Sequence, residues 1–180
     1  VVRLAVPPRH ARTEKETSPE PGSTIQSVDP TRWERYRNAS GFLASIGDKQ
    51  PRAVWQATPG EDWAARIAEL AAVTAAAGRG TIVVVPDQRD LERLEKACDR
   101  LLGDRCVTLA AGLGPTARYR RWLSARRGTA DVVLGTRSAV FAPVHDLGLL
   151  VVWDDGDDSL DEPRAPYPHP REVAVLRAHL

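Results

Sequence analysis

The sequence predicts an α/β fold in which a mostly parallel β-sheet is flanked by helices. From residue 51 onward, short apolar segments alternate with helical ones, a pattern typical of parallel strands joined by helical crossovers. The segment TIVVVP (81–86) is apolar at nearly every position, as expected for a strand buried on both faces of such a sheet. At 180 residues the chain is long enough to bury one core.

The N-terminal residues have a different composition from the rest. Residues 1–31 are predicted to form an arm and linker, because residues 12–31 are rich in Pro, Ser and Thr and residues 1–8 resemble an edge strand left from a preceding module. Residues 32–46 are expected to be helical, with Trp33, Tyr36 and Leu43 on one side. The α/β domain is therefore assigned to residues 32–180.

The elements of this domain follow in order along the chain. Strands are predicted at RAVWQA (52–57), TIVVVP (81–86), CVTLA (106–110), DVVLGT (131–136) and LGLLVVW (147–153). Helices are predicted over residues 61–77, 87–102, 115–127 and 171–180. The helix at 115–127 carries arginines that could contact phosphates. We favour the alternative, a solvated face with Tyr119 and Trp122 packed on the sheet.

Charge and cysteine content exclude several classes of protein. The chain has 25 basic and 24 acidic residues, so it is not a polyelectrolyte as a whole. Cys98 and Cys106 have no histidine neighbours and match neither a zinc pattern nor a disulfide framework. No apolar run is long enough to span a membrane. We expect a cytoplasmic protein with no membrane partner and no metal site in this chain, which reads as a piece of a longer protein.

The loop after the first predicted strand is a candidate nucleotide site. Nucleotide-binding α/β proteins have G-x-x-x-x-G-K-[ST] there, whose backbone N–H groups and lysine hold phosphates. In QATPGEDW (56–63) only Gly60 matches, while Asp62 replaces the lysine and Trp63 the hydroxyl residue. The candidate nucleotide-binding residues of this degenerate Walker A motif are Thr58, Gly60, Glu61 and Asp62.

A structural interpretation of that loop competes with nucleotide binding. Thr58 as N-cap, Pro59 at the first helical position and Glu61 reaching back fit a capping box. Glu61 and Asp62 would also repel a triphosphate, since one unit charge about 4 Å away is worth about 4 kcal/mol at an effective dielectric constant of about 20. We favour the self-capped helix and expect neither ATP nor magnesium to bind tightly.

The acidic stretch VVWDDGDDS (151–159) follows the last predicted strand. Asp154 and Asp155 stand where P-loop ATPases place the Walker B acids that orient magnesium and water, so they are the candidate catalytic residues, expected to be inactive. A calcium loop from Asp155 to Asp161 is disfavoured, because Leu160 replaces the turn glycine and Pro166 replaces the bidentate glutamate.

The segment LGTRSAVFAP (134–143) is a candidate DNA contact. Gly135, Thr136, Arg137 and Ser138 would present backbone N–H groups, hydroxyls and one guanidinium at a strand end, which suits a nucleic-acid phosphate. An ordinary transition from strand to turn explains the same residues equally well. Replacing Arg137 with alanine would weaken DNA binding if the first interpretation is right.

Three segments together resemble a known family. The segments are TIVVVPDQRDLERL, DVVLGTRSAVFAPVHDLGLLVVWDDGDDS and HPREVAVLRA. They are similar to the first helicase lobe of the primosomal protein N-prime (PriA) family, and the resemblance covers residues 52–180. It implies a RecA-like P-loop-type lobe, a preceding DNA-binding region joined through residues 1–31, and a zinc region and second lobe after Leu180. It also implies replication restart on forked or single-stranded DNA, with primosome and replication proteins as partners at the nucleoid.

The departures from this family concern the ATP site. The family's phosphate loop ends in Gly-Lys-Thr, and its acidic box is Asp-Glu-Glu-His where this chain has Asp154, Asp155, Gly156 and Asp157. The composition, rich in Arg and Ala, suggests the actinobacterial branch with degenerate ATP-binding motifs. We expect a DNA-binding primosome protein without helicase activity and without a cofactor in this segment. The alternatives are an active ATP-dependent 3′-to-5′ helicase with a divergent site and a purely structural protein-interaction lobe.

Overall fold

The computed structural model describes residues 6–46, 51–110, 112–162 and 167–179. Within these residues four strands form one sheet in the order β2-β3-β1-β4, and every pair is parallel. The strands are β1 (Gly80–Val84), β2 (Cys106–Leu109), β3 (Val132–Gly135) and β4 (Leu147–Val152). The predicted α/β class with a parallel sheet is confirmed, and the arrangement is consistent with a RecA-like lobe.

Helices cover both faces of this sheet. They are α1 (Ala11–Lys15), α2 (Ala39–Ser45), α3 (Trp63–Ala76), α4 (Gln88–Leu102), α5 (Pro115–Arg127) and α6 (Pro170–Arg177). Val83 and Val85 pack in a cluster with α3 and α4, whereas Ile82 and Val84 pack with α5 on the opposite face. Because successive strand residues point to opposite faces, a strand covered on both sides must be apolar at every position.

The predicted helices over residues 87–102 and 115–127 are confirmed almost to the residue. Asp87 accepts a hydrogen bond from the Asp90 backbone N–H at 2.8 Å and so begins α4. Gly128 ends α5 in the left-handed conformation at φ 73°. The helix predicted at residues 171–180 is observed as α6, from Pro170 to Arg177. The last residue of the prediction, Leu180, lies outside the described residues. Of the described helices, none is long and apolar enough to cross a membrane.

The strand predicted at residues 52–57 is wrong. Residues 51–58 form no regular secondary structure, and the Val54 side chain is fully exposed. Trp55 and Ala57 instead pack against the core, and Arg52 donates a hydrogen bond to the Ala178 carbonyl at 3.2 Å. The apolar residues of this segment favoured a strand, but an apolar pattern does not provide the neighbouring strand that pairing requires.

The single helix predicted at residues 32–46 is also wrong. A 3-10 helix (Pro30–Trp33) and α2 replace it, and Asn38 between them adopts φ 61°. That left-handed conformation interrupts a helix, and asparagine is one of the few residues that adopts it readily. Trp33 and Leu43 nevertheless pack in one cluster with Leu70 of α3. The prediction that these two residues share one side of the segment is therefore confirmed.

Residues 6–31 lie against the lobe. The Asp104 carboxylate accepts hydrogen bonds from the backbone N–H groups of Gly22 and Ser23, at 2.9 and 3.0 Å. Ile25 and Val28 pack against the core beneath α4. Residues 1–5 of the proposed edge strand lie outside the described residues, and residues 6–8 form no strand. The origin of this arm in a preceding DNA-binding region stays a prediction.

Candidate nucleotide and DNA site

The predicted nucleotide loop is a tight turn. The Glu61 N–H donates to the Thr58 carbonyl at 3.0 Å, and Gly60 has φ 79°. Proline at the second position and glycine with positive φ at the third are typical of a type II turn. The predicted capping box is therefore wrong: α3 begins at Trp63, and the Asp62 carboxylate caps it by accepting from the Ala65 N–H at 3.3 Å.

The two carboxylates of this loop have protein partners. Glu61, whose side chain is only 9% exposed, accepts a hydrogen bond from the Tyr36 hydroxyl at 2.9 Å and lies 3.4 Å from an Arg35 nitrogen. Asp62 lies 3.4 Å from an Arg93 nitrogen in addition to capping the helix. The acidic side chains thus neutralise neighbouring arginines, and the loop offers no lysine for a phosphate.

Two tryptophans join the halves of the predicted ATP site. Trp63 stands at the hydroxyl position of the Walker A pattern, and Trp153 precedes Asp154 directly. Their rings stack at a centroid distance of 4.5 Å and an interplanar angle of 10°. The Arg93 guanidinium lies 5.2 Å from the Trp63 ring centroid, within cation–π range. The sequence did not predict that the Trp63 and Trp153 rings stack. The available signal was a tryptophan in the Walker A pattern and another directly before Asp154.

Further aromatic rings extend this stack. The ring centroid of Trp55 lies 5.6 Å from that of Trp153 and 5.9 Å from that of Trp33. The ring centroid of Tyr36 lies within 5.9 Å of the centroids of both Trp33 and Trp55. Aromatic pairs in tilted and edge-on arrangements stabilise by about 0.5–1.5 kcal/mol beyond their buried area. These contacts hold residues 52–57 against the lobe although that segment pairs with no described strand.

A buried ion pair lies behind the aromatic rings. Arg66 is 1% exposed and Glu69 8%, and an Arg66 nitrogen lies 2.6 Å from a Glu69 oxygen. The Trp33 indole N–H donates to the other Glu69 oxygen at 2.7 Å. Burial raises the pKa of Glu69, although the Trp33 hydrogen bond and the Arg66 charge oppose that change. Sequence reasoning missed this pair, whose signal was an arginine and a glutamate three residues apart in an alanine-rich helix.

The acidic loop after β4 is folded on itself. Asp154 adopts φ 47°, and its carbonyl accepts a hydrogen bond from the Asp157 N–H at 2.9 Å. The Asp155 carboxylate lies 3.1 Å from an Arg171 nitrogen at the start of α6. Hydrogen bonds from Ser159 lower the pKa of Asp157. Across the described ranges no group of three or more His, Cys, Asp or Glu side chains could hold a metal ion.

The candidate DNA residues lie in the turn after β3. Arg137 begins a 3-10 helix (Arg137–Phe141), and its guanidinium donates to the Asp161 carbonyl at 2.7 Å and to the Glu162 carboxylate at 2.5 Å. Thr136 and Ser138 are partly exposed. The structure thereby brings this turn to residues 161–162, just after the acidic stretch, in a contact across 25 positions that no local pattern indicates.

Gly135 has a packing role that the sequence did not reveal. An added Cβ would lie 2.6 Å from the Ala139 Cβ and 2.8 Å from the Leu109 carbonyl oxygen. We therefore expect Gly135→Ala to lower the free energy of unfolding by about 1–3 kcal/mol through overpacking, measured by urea denaturation. Gly112→Ala is the control, since an added Cβ there would meet nothing within 4 Å. Equal stability of the two variants would contradict the close approach.

Comparison with known proteins places these features in context. No family model matches the chain. It is 59% identical over 182 residues to a protein named probable replication restart protein PriA from Mycobacterium tuberculosis, covering 99% of this chain and 28% of that protein. The protein of the same name from Mycobacterium leprae is 55% identical over 185 residues, with the same coverage. Replication restart protein PriA of Bacillus subtilis is 29% identical over 103 residues, covering 57% of this chain and 13% of that protein.

Proposed function

Because the chain belongs to the PriA replication restart family, we propose that it contacts DNA and supports primosome assembly without hydrolysing ATP. Its partners in this proposal are forked or single-stranded DNA and the primosome and replication proteins, in the cytoplasm at the nucleoid. The chain spans 28% of the length of its mycobacterial relatives. By resemblance to the family, this proposal includes a preceding DNA-binding region, joined by residues 1–31, and a following zinc region and second helicase lobe.

The observation that carries the proposal is the stack of Trp63 on Trp153. A P-loop site needs a lysine for the phosphates and a hydroxyl that shares magnesium with the Walker B acid. At these positions the chain has Asp62, which caps α3, and Trp63, whose ring faces Trp153. A magnesium nucleotide would have to separate the two rings and displace Arg93 from Asp62. These residues do not fit the group, and no ATP-driven step is assigned to the lobe.

The DNA contact in this proposal rests on the turn after β3. Arg137 keeps 34% of its side chain exposed while it binds Glu162, and a guanidinium has five N–H donors. Thr136 and Ser138 add hydroxyl groups beside it. Thr136, Arg137 and Ser138 could therefore meet a phosphate while Arg137 keeps its contact with Glu162, whereas Gly135 is buried in β3. This surface would position the protein on DNA without reading bases.

We expect the full-length protein to bind ATP no more tightly than millimolar and to show no DNA-stimulated hydrolysis. The reason is that the loop presents two carboxylates where a phosphate requires positive charge. Calorimetric titration with magnesium and ATP, together with a phosphate-release assay on forked DNA, measures both properties. The control is Asp154→Asn/Asp155→Asn, which removes both Walker B acids. Micromolar binding with hydrolysis that this variant abolishes would establish the alternative, an active helicase with a divergent site.

A further inference from the structure

Two segments of the chain concentrate its positive charge. Residues 9–16 and 118–127 hold eight basic and two acidic residues, an excess of six positive charges on a chain whose net charge is +1. The rest of the chain is therefore net negative. We call these two segments the α1–α5 basic surface; its basic residues are Arg9, Arg12, Lys15, Arg118, Arg120, Arg121, Arg126 and Arg127.

The fold brings the two segments together. Arg120 of α5 lies 2.9 Å from the Glu16 carboxylate that follows α1. Arg127 donates to the carbonyl oxygens of Glu14 and Glu16, each at 2.7 Å. Arg120 and Arg127 are seven residues apart on one side of α5, which separates their backbone positions by about 10.5 Å along the helix. The buried side of α5, with Trp122 among its residues, faces the sheet.

Three basic side chains of this surface, those of Arg12, Lys15 and Arg127, have no carboxylate within ion-pair distance among the described residues. Its two acids each pair with one arginine, Glu14 with Arg9 and Glu16 with Arg120. The partners of Arg127 are uncharged carbonyl and hydroxyl oxygens, so its charge is uncompensated. The Arg12 and Lys15 side chains are exposed, and neither side chain makes a hydrogen bond or an ion pair within the described part of the chain.

The surface is separate from the candidate nucleotide loop and from the turn after β3, and it includes the α5 arginines that the sequence left as a disfavoured phosphate contact. It lies on the sheet face covered by α5, whereas the loop at residues 58–62 leads into α3 on the other face. It also shares no residue with the turn after β3. Clustered arginines and lysines match the repeating phosphates of a nucleic-acid backbone. We infer that the α1–α5 basic surface binds the phosphate backbone of duplex DNA without reading sequence, an inference that rests on the proposed DNA-contacting function.

The test reverses charge where no described contact is lost. Arg12→Glu/Lys15→Glu in this chain is expected to weaken binding of a mixed-sequence duplex about ten-fold or more at low salt, measured by fluorescence anisotropy. The slope of log affinity against log salt should fall by about 2, since each phosphate contact contributes about 0.9. The matched control is Lys96→Glu/Arg100→Glu, the same charge change on exposed residues of α4, with an expected change below about three-fold.

The outcomes separate this inference from the function on which it rests. If the chain binds the duplex and Arg12→Glu/Lys15→Glu binds equally tightly, the inference is overturned and the DNA-contacting function stands. If Arg137→Ala alone lowers affinity, the turn after β3 is the site and the inference is again overturned. A chain without salt-dependent affinity for duplex or forked DNA would overturn both. Binding to phosphatidylglycerol vesicles without binding to DNA would assign the surface to a membrane instead.

Discussion

Replacing Trp63 with alanine is expected to destabilise the lobe by about 3–5 kcal/mol, the range typical of buried large aromatic side chains. Trp63 is 7% exposed and packs in the cluster between the sheet, α3 and α4. The substitution also removes the stack on Trp153 and the cation–π contact with Arg93. Urea denaturation followed by circular dichroism measures the change, and the midpoint should fall while the slope stays the same.

Two control variants test whether the lost stability comes from the buried aromatic contacts of Trp63. Trp63→Phe keeps an aromatic ring and should lose less stability than alanine, because most of the apolar contact remains. Val54→Ala removes apolar atoms from a fully exposed side chain and should change stability by no more than about 0.5 kcal/mol. A Trp63→Ala variant as stable as the Val54→Ala variant would contradict the burial of Trp63 in the core and its stack on Trp153.

The central sheet could be predicted because its signal is local. Each of the four observed strands is an apolar segment followed or preceded by a helical one, and burial on both faces leaves little ambiguity. The segment at residues 52–57 also contains apolar residues, but it pairs with no described strand, because pairing depends on residues far away in sequence. The break at Asn38 was also missed, because asparagine is compatible with both a helix and a left-handed interruption.

The candidate site was predicted by the position of its residues, whereas their contacts were not predicted. The motif comparison singled out Asp62, Trp63 and Asp154 as nucleotide-site positions, and that role stays a prediction. It favoured a capping box at Thr58, whereas Pro59 and Gly60 form a turn that shifts the helix start to Trp63. The pairing of Arg137 with Glu162 and the stack of Trp63 on Trp153 join distant residues, and only the folded chain reveals them.

The tryptophan stack relates the two altered halves of the motif to each other. Trp63 places a large apolar ring next to Glu61 and Asp62, and most of that ring is buried in the core. The ring of Trp153 stacks on it, so each side chain shields part of the other from water. The stack therefore links the loop before α3 to the end of β4.

Replacing Glu69 with leucine is expected to destabilise the lobe by about 3–5 kcal/mol, because it leaves the buried Arg66 charge without its close partner. Arg66 is 1% exposed, and its other carboxylate neighbour, Glu61, lies 3.6 Å away. The Trp33 indole N–H would lose its acceptor in the same variant. The free energy of unfolding from urea denaturation measures the effect, and Glu34→Leu, at an exposed position, is the control.

The double variant Arg66→Met/Glu69→Leu separates the buried charge from the packing. Replacing both members of a buried ion pair by apolar residues of similar size is often neutral or stabilising. We therefore expect the double variant to be more stable than Glu69→Leu alone, with a remaining loss of about 1–3 kcal/mol from the unpaired Trp33 N–H. If adding Arg66→Met instead lowers stability further, the loss in Glu69→Leu comes from packing, and the uncompensated charge of Arg66 is not its cause.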